Sequence, residues 1–377
     1  MTTLFAHARK LDAAGQVDDF WMLVDGDTIA STGTGVGPAA DETIDIGGAW
    51  LTPGFIDLHS HGAGGFSYDD GVEAVMTGVA VHRAHGTTRS VISLVTNPLP
   101  ALEASLTDVA DLVAVDPLIL GSHLEGPYLS PERAGAHSPE LLREPQPAEL
   151  GRLLDAARGT LRQLTIAPEL PNALELVEIL VENGVVVAIG HSQADFALTR
   201  KTFDIGARLL THAFNAMPGI GHRAPGPVVA AFEDDRITLE LVLDGEHVHP
   251  DVAALAFRSA PGRIALITDA MAATGSSDGD YDLGTLVVEV RGAVAHIAGT
   301  DILAGSTLTQ DRALRLAIER VGVDPAAAVA ALTLTPATVL GLESRHGLLA
   351  PGFAADAVQL DSRWQVEHVW ANGTALR

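Results

Sequence analysis

The strongest constraint on this chain is a pattern that recurs eight times between residues 51 and 347: a short apolar strand, a loop, and an amphipathic helix. The strand segments are GFIDLHSH (54–61), SVISLVT (90–96), LILGSHLEG (118–126), LRQLTIAPE (161–169), GVVVAIGHS (184–192), ARLLTHAFN (207–215), ITLELVLDGEHV (237–248) and RIALITDA (263–270). Helical stretches such as 71–86 and 172–184 lie between them, the second ending on Gly184, where a helix C-terminus is expected. Alternating strands and helices build a parallel sheet covered by helices. Eight such units predict a (β/α)₈ TIM barrel, typically of about 250 residues. A doubly wound open sheet is the competing architecture, but no glycine-rich phosphate fingerprint follows the first strand. Residues 284–299 read as a hairpin turning at Arg291-Gly292, placed before a last helix over 306–322.

The two ends of the chain differ from this middle. Residues 20–32 read as two short strands around Asp25-Gly26-Asp27, and 357–377 alternate apolar and polar residues around Asn372-Gly373, a strong hairpin signal. Neither end is large enough to stabilise a core alone. The simplest expectation is a small β-sandwich domain formed jointly by 1–50 and 348–377, with the barrel of 51–347 inserted between them.

Composition narrows the chemistry. The 377 residues include 48 acidic and 23 basic ones, a formal charge of −25. A surface this negative repels nucleic-acid phosphates and anionic lipid headgroups, so neither nucleic acid nor membrane is an expected partner. There is no cysteine, so a metal would have to be held by His, Asp or Glu. The start of the chain lacks a signal-peptide pattern, and no apolar run approaches the roughly 18 residues of a membrane span, so a cytoplasmic location is the default expectation.

Ionisable residues collect at the predicted strand ends. These are His59 and His61, His123 and Glu125, Glu169, His191, His212 with Asn215, His247, and Asp269. In a barrel the C-terminal strand ends meet on one face, and charge gathered there must be paired, metal-bound or catalytic. His59-Ser60-His61 places two imidazoles at i and i+2, on one strand face. Together with Glu125, His191 and His212 they suit Zn²⁺, and also Fe²⁺, Mn²⁺ or Co²⁺. The only lysines, Lys10 and Lys201, do not end a strand, which leaves Glu125 as the candidate to bridge two ions. Asp269, in Thr268-Asp269-Ala270, is the candidate proton shuttle beside a cation-activated water. Arg223, set among the glycines and prolines of 215–227, offers a guanidinium and backbone donors for a phosphate.

Six blocks in order, HLEGPYLSPERAGAHSP (123–139), GHSQADF (190–196), THAFNAMPGIGHRAPG (211–226), DGEHVHP (244–250), TDAMAATG (268–275) and AGTDILAGSTLT (298–309), resemble the N-acetylglucosamine-6-phosphate deacetylases, enzymes of the amidohydrolase type. The resemblance covers nearly the whole barrel. It implies that Glu125, His191 and His212 bind the main metal, and that Asp269 is general base and then general acid. It also implies that His137 contacts the sugar and polarises the acetamide carbonyl, and that Asn215, the backbone of Ala216, Arg223 and His247 hold the phosphate end. Arg223 would act across the interface of a homodimer. Retention of His59 and His61 favours a two-metal site. Two rival readings remain. A cyclic amidase or nucleobase aminohydrolase shares the barrel, the HxH and the last-strand Asp, but leaves Arg223 and the HLEGP block without a role. A non-catalytic sugar-phosphate sensor has no use for a proton shuttle.

Overall fold

The computed structural model describes residues 1–376. Its central sheet holds eight parallel strands: β1 (Phe55–Ser60), β2 (Thr87–Leu94), β3 (Ile119–Glu125), β4 (Leu161–Ile166), β5 (Val186–Ile189), β6 (Leu209–Leu210), β7 (Thr238–Val242) and β8 (Ile264–Ile267). They neighbour one another in chain order. Just beyond β8, Ala270 bridges in parallel to Ser60, and the Asp269 amide donates to the His59 carbonyl at 2.8 Å. The sheet is therefore nearly closed, a TIM barrel. Every residue of β1 and of β2 is buried, as expected of parallel strands covered on both faces.

Helices separate the strands, and local chemistry fixes where several begin. Pro147 and Pro250 start their helices, where a missing N–H costs nothing. Asp195 caps Phe196–Ile205 by accepting from the Leu198 amide. The helix Ala173–Glu182 is followed by Gly184 at φ 72°.

Two elements depart from the sequence expectation. The strand predicted over 207–215 pairs in the sheet only at Leu209–Leu210. The chain turns away afterwards because His212, Phe214 and Ala216 adopt left-handed backbone (φ 25°, 81° and 51°). The helix expected over 306–322 begins at Gln310 and ends in a π-helical turn, Ala317–Val321, and two further helices, Pro325–Leu332 and Leu334–Val339, follow it. The hairpin turning after Arg291 forms, with a third antiparallel strand, Gly279–Leu283, added to Leu286–Arg291 and Val294–Ile297.

Both chain ends contribute to a second sheet of eight strands. Thr2–Asp12 pairs with Gly15–Asp25 on one edge. Its other edge is shared by Glu42–Asp45 and Trp50–Pro53. The bridge Thr28 to Ala354 returns the Thr28–Thr34 strand towards Ala357–Leu360. Phe5, Phe20, Met22, Ile29, Leu51 and Trp370 fill the interior so formed.

The chain divides into two compact units. One comprises Met1–Asp57, His82–Arg89 and the chain from Thr309 onward; the other comprises Leu58–Val81 and Ser90–Leu308. Among the described residues no helix is long and apolar enough to cross a membrane.

Candidate metal and substrate site

The second unit carries two triads of potential ligands, all buried. One is Glu125, His191 and His212; the other is His59, His61 and Asp269. Each comes from the C-terminal end of a barrel strand or the residues just after it. His191, His212 and Asp269 sit at φ 46°, 25° and 49°. Three non-glycine residues in a sparsely populated region, all at one rim, point to a functional constraint. Gly135 (φ 57°) lets the loop after β3 close on this rim, since a Cβ there would lie 3.0 Å from Cε1 of His191.

Glu125 stands between the triads. Its Oε1 lies 3.3 Å from His191 Nε2, 3.1 Å from His212 Nε2 and 3.5 Å from His59 Nε2. Its Oε2 lies 3.2 Å from His61 Nε2 and 3.3 Å from His137 Nε2. Asp269 Oδ1 is 3.3 Å from His61 Nε2 and 3.6 Å from His59 Nε2. Within each triad the imidazoles meet through Nε2 atoms only 3.0 Å apart.

This geometry fits a cation. His191 Nδ1 donates to the Arg133 carbonyl at 2.8 Å, so in the neutral ring Nε2 carries a lone pair. That lone pair faces a carboxylate oxygen and another imidazole nitrogen. Acceptors this close, shielded from water, need positive charge among them. The electrostatics of the side chains carry the same demand. Burial opposes it, yet the charges of Glu125 and Asp269 hold His59 well above the usual imidazole range. Burial likewise opposes ionisation of His61, and hydrogen bonds to Asp269 and Glu125 hold it at about 9. Reciprocally, burial works against the carboxylates, while His59 and the other imidazoles hold Glu125 and Asp269 well below the usual range. Nitrogen and oxygen donors alone, with no thiolate, suit a borderline divalent ion.

The triad residues other than His59 line a cavity of about 410 Å³, which His137, His247, Asn215 and Ala216 also line. Burial drives the His137 imidazole down to about 4, so it is neutral. The Thr96 amide faces its Nδ1 at 3.4 Å, which leaves the hydrogen on Nε2, the atom that faces Glu125 Oε2 at 3.3 Å. His247 is held by Asp244, 2.7 Å from its Nδ1.

Comparison with known proteins finds relatives over nearly the whole chain. The model of the Amidohydrolase family matches residues 50–376. N-acetylgalactosamine-6-phosphate deacetylase of Escherichia coli O157:H7 is 39% identical over 377 residues, covering 99% of each chain. N-acetylglucosamine-6-phosphate deacetylase of Homo sapiens is 36% identical over 350 residues, 89% of this chain and 85% of that protein. Among solved structures, a mutant of the Mycobacterium smegmatis N-acetyl-D-glucosamine-6-phosphate deacetylase in complex with N-acetyl-D-glucosamine-6-phosphate superposes with a TM-score of 0.95 at 42% identity, covering 100% of this chain and 99% of that one.

The chain belongs to the amidohydrolase family. Its curated relatives are hydrolases of N-acetylated amino-sugar phosphates, and the family is metal-dependent.

Not every residue singled out in the sequence lies in this amidohydrolase's cavity. Arg223 is exposed on the loop before Gly226–Phe232 and does not line it. Glu169 also lies outside; it accepts from the Ser192 hydroxyl and the Gln193 amide, bracing the loop after β5. His123 is buried behind His59, between Ser93 and Thr165 at 2.9 and 2.8 Å. The sequence reading missed Glu240, which is fully buried mid-way along β7 and 3.3 Å from His59 Nδ1. Its signal was present: a lone acid inside an apolar barrel strand requires a partner.

Proposed function

We propose that this amidohydrolase removes the acetyl group of N-acetylglucosamine 6-phosphate, giving glucosamine 6-phosphate and acetate in amino-sugar catabolism. The observation that carries the reading is the convergence of Asp269, His137 and the Glu125-centred triads on one cavity.

Glu125, His191 and His212 would hold one divalent cation, and His59, His61 and Asp269 a second, with zinc the best match and iron, manganese or cobalt also suited to the donors. Such a cation supplies a water of lowered pKa and polarises the acetamide carbonyl. The remaining steps belong to side chains. The Asp269 carboxylate, ionised at neutral pH, accepts the proton of the attacking water. As the water oxygen bonds to the carbonyl carbon, the neutral His137 donates its Nε2–H to the oxygen gaining charge. The C–N bond then breaks, and Asp269 returns the proton to the departing amine. His247, Asn215 and the backbone of Ala216 would hold the phosphate end of the sugar. The exposure of Arg223 supports a homodimer in which this arginine reaches the neighbouring subunit's substrate. A phosphorylated sugar does not cross membranes unaided, which supports a cytoplasmic site of action.

The Escherichia coli relative, similar over both full lengths, favours a second reading, the C4 epimer N-acetylgalactosamine 6-phosphate. Acetate release from both phosphates and from unphosphorylated N-acetylglucosamine separates the cases. The expected order in kcat/KM is N-acetylglucosamine 6-phosphate, N-acetylgalactosamine 6-phosphate, then unphosphorylated N-acetylglucosamine, with the preference for phosphate reduced in Arg223→Ala. Acetate from neither phosphate would overturn the proposal, and ammonia release from a nucleobase would replace it.

A further inference from the structure

A fully buried glutamate is costly unless every donor around it is needed. Glu240 has no exposure at all. Its Oε1 accepts from Gln163 Nε2 at 2.9 Å. Its Oε2 accepts from the His212 amide at 3.3 Å and faces His59 Nδ1 at 3.3 Å. The Glu240 main-chain carbonyl accepts from the Ala213 amide at 2.8 Å. One residue thus grips two successive amides at the left-handed turn that swings His212 out of the sheet. The same residue also faces the far side of His59.

We propose that Glu240 is a positioning residue that makes the His59–His61–Asp269 triad able to bind a second cation and holds it in register with the first. This rests on the metal-dependent reading given above. Both carboxylate oxygens already accept an N–H, so His59 Nδ1 must be a donor to that carboxylate. In the neutral ring that ligation requires, the hydrogen is therefore on Nδ1, and the Nε2 lone pair points to His61 and Asp269. A carboxylate behind a ligating imidazole fixes its tautomer and ring plane and makes it a better ligand. Among the described residues nothing comparable stands behind His61 or His212, whose Nδ1 atoms are buried without a hydrogen-bond partner. The second triad therefore depends on Glu240 for its only braced imidazole. The first triad has its own brace in the Arg133 carbonyl behind His191, and it needs Glu240 only for the backbone turn.

Calorimetric titration of Zn²⁺ into chelator-stripped protein tests the inference. The wild type is expected to take up two ions of unequal affinity. Glu240→Gln, close to isosteric, is expected to weaken the second by about 10–100-fold while changing the first by less than about threefold. Equal zinc binding by wild type and variant would overturn the role of Glu240 alone. Equal weakening at both sites would also overturn it, by making the residue merely structural. A wild type that takes up no zinc would instead overturn the metal-dependent reading, and this inference with it. Should Glu240→Gln not fold, Gln163→Met removes only the donor to Oε1. It should weaken the second ion by a smaller factor in the same sense, and an unchanged second affinity would then decide against the proposal.

Discussion

Two buried clusters of charge, one in each compact unit, show opposite ways of keeping ions out of water. In the unit built from the chain ends, Asp356 accepts from Arg89 Nε at 2.7 Å and from Arg89 Nη2 at 3.0 Å. The Asn372 amide adds a bond at 2.8 Å, and the Asn372 side-chain oxygen takes Arg89 Nη2 at 2.6 Å. Donors and acceptors match there, and the pair is bidentate. In the barrel unit, Glu125 and Asp269 face imidazole nitrogens that crowd to 3.0 Å, and two of the rings have an unpartnered Nδ1. A cluster satisfied by its own atoms serves stability. A cluster that still calls for positive charge is arranged for something that arrives.

The difference can be broken from either side. The largest effect is expected at Asp269. Asp269→Asn keeps the shape but removes the proton acceptor, and kcat should fall about 10²–10⁴-fold or more. Zinc should still bind the Glu125, His191 and His212 triad, which the change leaves intact. Acetate release at a near-wild-type rate would remove Asp269 from the mechanism. His191→Ala belongs to the same side: zinc per chain by elemental analysis should drop, and unchanged content would contradict its assignment as a ligand. The satisfied cluster should behave in the converse way. Asp356→Ala takes the carboxylate away from the buried Arg89 guanidinium, and breaking a buried ion pair typically costs about 3–5 kcal/mol. Chemical denaturation should register that loss, while kcat of the protein that remains folded stays near wild type. A loss of kcat without loss of stability would make the two clusters alike after all.

How much of this was legible in the sequence depends on the kind of residue. The eight strand–helix units follow from periodicity, and His59, His61, Glu125, His191, His212 and Asp269 could be placed at one rim because a barrel gathers the ends of its strands. Residues on long loops could not be placed in this way. Nothing in the pattern of 215–227 says that Arg223 is exposed and outside the cavity, since loop paths depend on tertiary packing. The early end of β6 was hidden for a related reason: His212 looks like one more strand residue until Glu240 captures the two amides that turn the chain. Glu240 sits inside a strand, where the convergence of strand ends at a barrel rim says nothing about it. The satisfied pair was equally invisible, since Arg89 and Asp356 lie 267 residues apart.

The smallest expected effect is in the pH dependence of stability, and it separates the clusters by sign. His61 is held at about 9 by hydrogen bonds to Asp269 and Glu125, against burial. An unfolded histidine titrates near 6.5, so the folded chain binds the extra proton more tightly. That contribution is fully present below about pH 6.5 and is lost as pH rises through 9. The interval corresponds to on the order of 3 kcal/mol. Asp356 has the opposite sense: burial raises it, but His346 and Arg89 hold it below the ordinary carboxylate range. Its contribution is present at neutral pH and lost only on acidification, so it adds no slope between pH 7 and 9. Chelator-treated protein should therefore melt lower at pH 9 than at pH 7. Zinc should abolish that slope, because a bound cation takes over the charge the protons supplied and ligation requires the neutral imidazole. His61→Asn should reduce the slope without zinc. Parallel slopes with and without zinc would mean that His61 does not exchange its proton for a metal, and the contrast between the two clusters would lose its basis.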